Sequence, residues 1–139
     1  MAIQFTSHEI KDNLKEKRKL KAFLADLFKA EGQGLKSLHY VFCSDTYLLE
    51  INKQFLQHDT YTDIVTFEMG EDSSITEGEI YISVDRVVDN AEKFKVPVNQ
   101  ELHRVIFHGA LHLCGFKDKS KADAALMRSK EDEYLQKYF

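Results

Sequence analysis

Four short segments of the chain are apolar, β-branched or alternating enough to predict β-strands. The clearest is residues 78–83, where Ile80 and Ile82 fall on one face and Glu79, Tyr81 and Ser83 on the other. This period of two is typical of a strand with one buried face. The predicted strands cover residues 3–6, 38–44, 62–67 and 78–83.

Longer segments carry apolar residues at the three- and four-residue spacing of one helix face, and they predict five helices. The first is capped by Ser7 and continues to about Glu31, before two glycines. The others follow Ser44, begin near Val84 and after Asn99, and cover residues 122–139. The last of them is predicted to complete the core at the end of the chain, and no catalytic or ligand-binding role is predicted for it.

The order of these elements predicts an α+β fold, because strands cluster early and in the middle while helices dominate the end. We expect a single domain over residues 1–139, with about four strands in a mixed sheet and about five helices. The length of 139 residues is enough to bury a core without disulfides. One proline and six glycines argue against disordered linkers.

Charge and targeting signals narrow the class of protein. A net charge of −4 argues against a general nucleic-acid coat, since nonspecific binding depends on lysine and arginine. The start of the chain lacks the apolar stretch of a signal peptide or membrane span. We therefore expect a cytoplasmic protein with no membrane partner and no organic cofactor; the sequence does not predict its oligomeric state.

The chain around residues 106–119, IFHGALHLCGFKDK, contains a candidate metal site. His108 and His112 are four residues apart, so both imidazoles lie on one face of a helix. Gly115 can end that helix in a left-handed turn and bring Asp118 to the same ion. Three ligands leave a fourth position for water, as in catalytic zinc sites. The alternative is an ordinary solvated histidine pair, and Cys114 reads as a small core residue.

The spacing HxxxHxxGxxD resembles that of metzincin metalloproteases, which predicts a metzincin-like metal helix. Those enzymes carry a glutamate base directly after the first histidine. Here that position is Gly109. A peptidase built on this helix would therefore lack its usual base.

The same residues resemble the YbeY family of bacterial rRNA maturation factors, regarded as single-metal endoribonucleases. HGALHLCGFKD is similar to the family signature HGxLHLxGxDH, and GEIYIS is similar to GDIxIS. The segment INKQFLQHDTYTDIVTF resembles NxxYRxxDxPTDVLSF. The matched positions there are Asn52, Asp59, Thr62, Asp63 and Phe67. The resemblance implies one zinc ion and a substrate of ribosomal RNA or ribosomal components.

Two positions depart from the family pattern. The third family histidine falls at Asp118, whose carboxylate would make the metal a weaker Lewis acid. The arginine of the YRxxD segment falls at Leu56, so a phosphate contact must come from elsewhere. Candidate substitutes are His58, Arg86, Lys117 and Lys119.

The sequence leaves the catalytic residues and the reaction open. Candidate catalytic residues are His58, Glu79 and Arg86. Asp63 is expected either to accept backbone hydrogen bonds or to orient a metal-bound histidine. The first function is a zinc-dependent endoribonuclease in rRNA processing. The alternatives are a metallopeptidase-like hydrolase, with a carboxylate such as Glu79 as base, and a noncatalytic metal-stabilised adaptor on ribosomal components.

Overall fold

The structure is a computed structural model that describes residues 2–56 and 62–139. Its elements, in chain order, are β1 (Ile3–Ser7), α1 (Lys17–Ala30), β2 (Gly34–Cys43), α2 (Asp45–Leu56), β3 (Ile64–Glu68), β4 (Ile75–Ser83), α3 (Val84–Phe94), α4 (Val98–Leu113) and α5 (Lys121–Tyr138). None of the helices in this described part is long and apolar enough to cross a membrane.

The four strands form one mixed sheet in the order β1-β2-β4-β3. β1 pairs with β2 and β2 with β4 in parallel, whereas β3 pairs with β4 antiparallel. The predicted α+β fold, with its four-stranded sheet and five helices, is confirmed. β3 lies at one edge of this sheet, and helix α4 packs against β3 and β4.

The two faces of the sheet differ because side chains alternate along each strand. On one face, Tyr40 and Ile80 are fully buried in the main core together with Leu24 of α1 and Ile106 of α4. The Tyr40 hydroxyl donates a hydrogen bond of 2.8 Å to the Ile106 carbonyl, which ties α4 to the middle of the sheet. The other face carries a smaller cluster under α2, containing Cys43, Leu48, Ile51 and Val65.

The prediction that the first helix starts after Ser7 is wrong, because α1 begins only at Lys17. Between β1 and α1, the Asp12 carboxylate accepts hydrogen bonds from the Ser7 hydroxyl and from the Leu14 amide. Such local bonds give the backbone an alternative to helix. Three residues of this connection have positive φ, which ends helical geometry there: Glu9, Asn13 and Glu16.

Candidate metal centre

Helix α4 turns its apolar residues to the core and its two motif histidines to a cavity. Ile106 and Ala110 are fully buried, whereas the side chains of His108 and His112 are 20% and 40% exposed. The two imidazole ring centroids lie 5.9 Å apart. The predicted shared face of the two histidines is therefore present, at the boundary between core and cavity.

The end of α4 brings an acid back to these histidines. Gly115 has φ +101°, and the amides of Gly115 and Phe116 donate to the carbonyls of His112 and Leu111. This pair of bonds is the Schellman arrangement, in which a glycine takes the left-handed position after a helix. As predicted, the chain then turns so that Asp118 meets His108: Asp118 Oδ2 is 3.2 Å from His108 Nε2.

The donor atoms of these three side chains are of the kinds that zinc binds, and one of their separations matches that of two zinc ligands. Two ligands of tetrahedral zinc, each about 2.0–2.1 Å from the metal, stand about 3.3 Å apart. The His108–Asp118 separation of 3.2 Å matches this value, while His112 Nε2 lies 3.9 Å from Asp118 Oδ1. Among the described residues, no three His, Cys, Asp or Glu groups are already close enough to enclose an ion.

Cys114 is a poor additional donor. It packs against the main hydrophobic core, and burial raises the pKa of its thiol to about 12. Zinc is bound by the thiolate, which is scarce at neutral pH when the pKa is that high. This agrees with the interpretation of Cys114 as a core residue.

Glu131 orients His108, although sequence reasoning assigned no chemistry to α5. Its Oε2 lies 2.6 Å from His108 Nδ1, and its Oε1 accepts a 3.0 Å hydrogen bond from Arg104. With Nδ1–H donated to Glu131, the Nε2 lone pair of His108 is directed at the cavity, an arrangement common for metal-binding histidines. Glu131 is only 5% exposed. Its position between Met127 and Tyr134 in a buried helical stripe is the sequence signal that could have revealed it.

The histidines face a cavity of about 560 Å³ that is rich in ionisable groups. Its lining includes four carboxyl groups and two guanidinium groups: Asp63, Glu101, Asp118, Glu131, Arg104 and Arg128. Burial raises the pKa of both the Asp63 and the Glu101 carboxyl groups. Burial lowers the pKa of His108, but the hydrogen bond and charge of Glu131 together with the charges of Asp118 and Asp63 outweigh it, so the pKa is raised.

Of the predicted catalytic candidates, Glu79 and Arg86 lie outside this cavity. Glu79 lies on the opposite face of the sheet, where it accepts a hydrogen bond from Tyr81, because its strand neighbours Gly78 and Ile80 face α4. Arg86 forms a 2.7 Å ion pair with Asp45 and is not part of the cavity lining. His58, like Asp59, lies outside the described residues.

Asp63 does line the cavity, but it is not the group that orients His108. Its Oδ2 accepts a 3.4 Å hydrogen bond from Asn90, and its backbone carbonyl accepts one from the Ser83 amide. Glu131 occupies the orienting position instead. Among the residues that the structure describes, the Asp63 carboxyl group therefore has no histidine partner at hydrogen-bond distance.

Packing explains why no glutamate follows His108. A Cβ atom at Gly109 would lie 2.9 Å from Cδ1 of Ile64 and 3.0 Å from Cδ1 of Ile80. Position 109 thus faces the sheet, and a side chain there would be directed away from the cavity. The glutamate base of HExxH peptidases has no equivalent on this helix.

Comparison with known proteins decides the family. A family model described as endoribonuclease YbeY matches residues 2–139. The chain belongs to the endoribonuclease YbeY family. Endoribonuclease YbeY of Flavobacterium psychrophilum is 47% identical over 129 residues, covering 93% of this chain and 91% of that protein. The Cytophaga hutchinsonii relative of the same name is 44% identical, with coverages of 96% and 93%.

A solved structure supports the same assignment at the level of fold. The solution structure of a Thermotoga maritima protein matches with a TM-score of 0.64 and 27% sequence identity. The match covers 98% of this chain and 88% of that one. The resemblance of the motifs to the YbeY family is therefore confirmed, while the metal-ligand roles of His108, His112 and Asp118 stay predictions.

The turn at Gly115 yields a first prediction about the site. Gly115→Ala should lower the free energy of unfolding by about 1–2 kcal/mol, because a Cβ disfavours positive φ. It should also weaken zinc binding, because the same turn positions Asp118. Chemical denaturation and chelator competition measure the two effects separately.

Gly32, at the end of α1, is a matched control for the backbone strain. Its φ is +72°, and a Cβ at either glycine would have no heavy atom within 4 Å. Gly32→Ala should therefore lose a similar amount of stability and keep its zinc affinity. Equal zinc affinities in the two variants would show that the Gly115 turn does not position Asp118.

Proposed function

We propose that this protein is a zinc-dependent endoribonuclease that acts on ribosomal RNA during ribosome maturation. The observation that carries the proposal is the meeting of His108, His112 and Asp118 at one cavity, in a member of the endoribonuclease YbeY family. The relatives cited above are named endoribonucleases. Ribosomal RNA as the substrate rests on the resemblance of the sequence motifs.

Each residue of the site has a separate task in this proposal. The zinc donors are His108 Nε2, His112 Nε2 and the Asp118 carboxylate, and Glu131 holds His108 in the required tautomer. A zinc ion bound there would supply Lewis-acid activation of water and polarisation of a phosphoryl oxygen. Asp63, whose carboxyl pKa is raised by burial, is our candidate for accepting the proton of the attacking water.

The charge of the cavity also supports a bound cation. Its four carboxyl and two guanidinium groups leave two net negative charges when every carboxyl group is ionised and both histidines are neutral. A cleft of that sign repels an RNA phosphodiester. One divalent ion would neutralise the lining and allow the phosphate to approach.

The two alternative functions make different demands on the site. The peptidase alternative expected its base either at position 109, as in HExxH enzymes, or at Glu79; position 109 faces the sheet, and Glu79 lies on the opposite face. A noncatalytic adaptor would bind metal for stability and leave RNA intact. Both remain outcomes of the experiment that follows.

The test compares two substrates with one preparation. Purified protein is assayed for bound metal and incubated with ribosomal RNA and with casein, before and after chelation. We expect RNA cleavage that disappears with a chelator and returns with zinc. Casein cleavage would identify a peptidase, and bound metal with neither cleavage would favour the adaptor.

The ends of the RNA products give a second prediction. We expect 5′-phosphate and 3′-hydroxyl ends, as produced when water attacks phosphorus directly. Among the described residues that line the cavity, the only histidines are His108 and His112, and both are assigned to the metal. No described imidazole is therefore left to deprotonate a 2′-hydroxyl. End-group analysis that found 2′,3′-cyclic phosphate, or cleavage that survived chelation, would contradict this mechanism.

A further inference from the structure

The cavity beside the histidines contains two arginines with different surroundings. Arg104 is bound on both sides, by Glu131 at 3.0 Å and by Asp132 at 2.6 Å, and its side chain is only 12% exposed. Arg104 is thus committed to holding the residues that support His108. It is not available to contact a substrate.

Arg128 is exposed, and within residues 2–56 and 62–139 it makes neither a hydrogen bond nor an ion pair. The Arg128 charge acts to lower the pKa of Glu101, which lines the same cavity, without a contact at bonding distance. A guanidinium that has no partner among the described residues, at the wall of a cavity with more carboxyl than guanidinium groups, is a candidate site for an anion. Its planar fork suits the two free oxygens of a phosphate.

Helix geometry fixes Arg128 relative to the candidate metal centre. Ala124, Met127, Arg128 and Glu131 form one face of α5 that lines the cavity. Arg128 precedes Glu131 by three residues, a rise of about 4.5 Å along the helix axis. Glu131 hydrogen-bonds to His108, so Arg128 lies nearly one helical turn from the residue that orients that histidine.

We propose that Arg128 binds an RNA phosphate adjacent to the bond that is cleaved, which rests on the proposed endoribonuclease function. In this role α5 supplies the cation that the family pattern places at position 56, where this chain has leucine. Of the substitutes expected from the sequence, the three that the structure describes do not take this position, and His58 lies outside the described residues. Arg86 is paired with Asp45, and Lys117 and Lys119 do not line the cavity.

The decisive experiment compares Arg128→Gln with Arg18→Gln in the zinc-loaded full-length protein. Arg18 is an exposed arginine on α1 that does not line the cavity, so the two variants lose the same net charge. For a short single-stranded RNA, we expect Arg128→Gln to raise KM roughly tenfold or more, as for loss of a hydrogen bond to a charged group. We expect kcat to change much less. Arg128→Lys, which keeps the positive charge, should have a KM between those of Arg128→Gln and the wild type.

Salt dependence and RNA binding give readouts that a structural role would not change. Loss of one phosphate contact should reduce the slope of log affinity against log salt by about 0.7 for a single strand. Stopped-flow fluorescence anisotropy of labelled RNA on zinc-loaded protein measures this slope before cleavage. Melting temperature and zinc affinity should stay at wild-type values.

The outcomes separate this inference from the proposed function. If Arg128→Gln has the same KM, slope and RNA affinity as Arg18→Gln, Arg128 is not a phosphate contact. If the wild-type protein binds the RNA without cleaving it, the endoribonuclease proposal fails, and the binding arm still decides the role of Arg128.

Discussion

Asp118→Ala should abolish zinc binding at micromolar concentrations, and Asp118→His should retain it. The alanine variant removes one of three donors, so its affinity should fall by more than the ~10–100-fold that loss of an outer partner of a metal ligand costs. Histidine restores a donor, since zinc–nitrogen and zinc–carboxylate distances are nearly equal. Chelator competition measures the affinities, and RNA cleavage should follow them.

The control for Asp118→Ala is Asp123→Ala. Asp123 lies in the first turn of α5 and outside the cavity lining, so its removal changes the net charge equally without touching the proposed donors. This variant should bind zinc as the wild type does. Full zinc affinity in Asp118→Ala would disprove the three-donor site. A loss of equal size in Asp123→Ala would show that net charge, rather than ligation, is being measured.

Local spacing was enough to predict the parts of the site that lie on one continuous segment. His108 and His112 share a face because of the helical period, and Gly115 takes positive φ because the helix ends there. Asp118 then follows within three residues. Each of these steps depends on backbone geometry that neighbouring residues determine, so a single sequence contains the necessary information.

Spacing could not predict the contacts between separate helices. Glu131 meets His108 across 23 residues, and Arg128 reaches the same cavity, only because α5 packs against α4. Sequence alone shows that Glu131 falls within a buried stripe, but it does not show which side chain satisfies that carboxylate. Buried charges are paired or hydrogen-bonded as a rule, so a charged residue in such a stripe predicts an unknown partner.

The wrong start of the first helix has a related cause. The apolar spacing around Ile10 and Leu14 is compatible with helix, yet the Asp12 side chain binds the Leu14 amide and the Ser7 hydroxyl. Side chains of this kind compete with helical hydrogen bonds over a few residues. The hydrophobic pattern gives no sign of these side-chain bonds. The predicted end of the helix, near Glu31, agrees with α1, which ends at Ala30.

Glu131→Gln should reduce zinc affinity roughly 10–100-fold, the usual cost of removing the outer partner of a metal-binding histidine. The amide keeps the shape and can still accept from Arg104 through one oxygen, but it no longer offers a carboxylate to His108 Nδ1. Glu131→Ala should in addition lower the free energy of unfolding by about 2–3 kcal/mol. That value is below the usual 3–5 kcal/mol for breaking a buried pair, because Arg104 keeps Asp132.

Asp132→Asn separates the effect on His108 from the effect on Arg104. Asp132 also accepts from Arg104, at 2.6 Å, but its side chain is 59% exposed and does not contact His108. This variant should lower the free energy of unfolding by less than about 1 kcal/mol and leave zinc affinity unchanged. Nitrogen NMR of the histidine side chains supplies an independent readout: the Nδ1 proton of His108 should be present in the wild type and in Asp132→Asn and should exchange faster in Glu131→Gln. Equal losses of zinc affinity in Glu131→Gln and Asp132→Asn would mean that Glu131 acts by holding Arg104 in place. The hydrogen bond from His108 to Glu131 would then not determine the metal affinity.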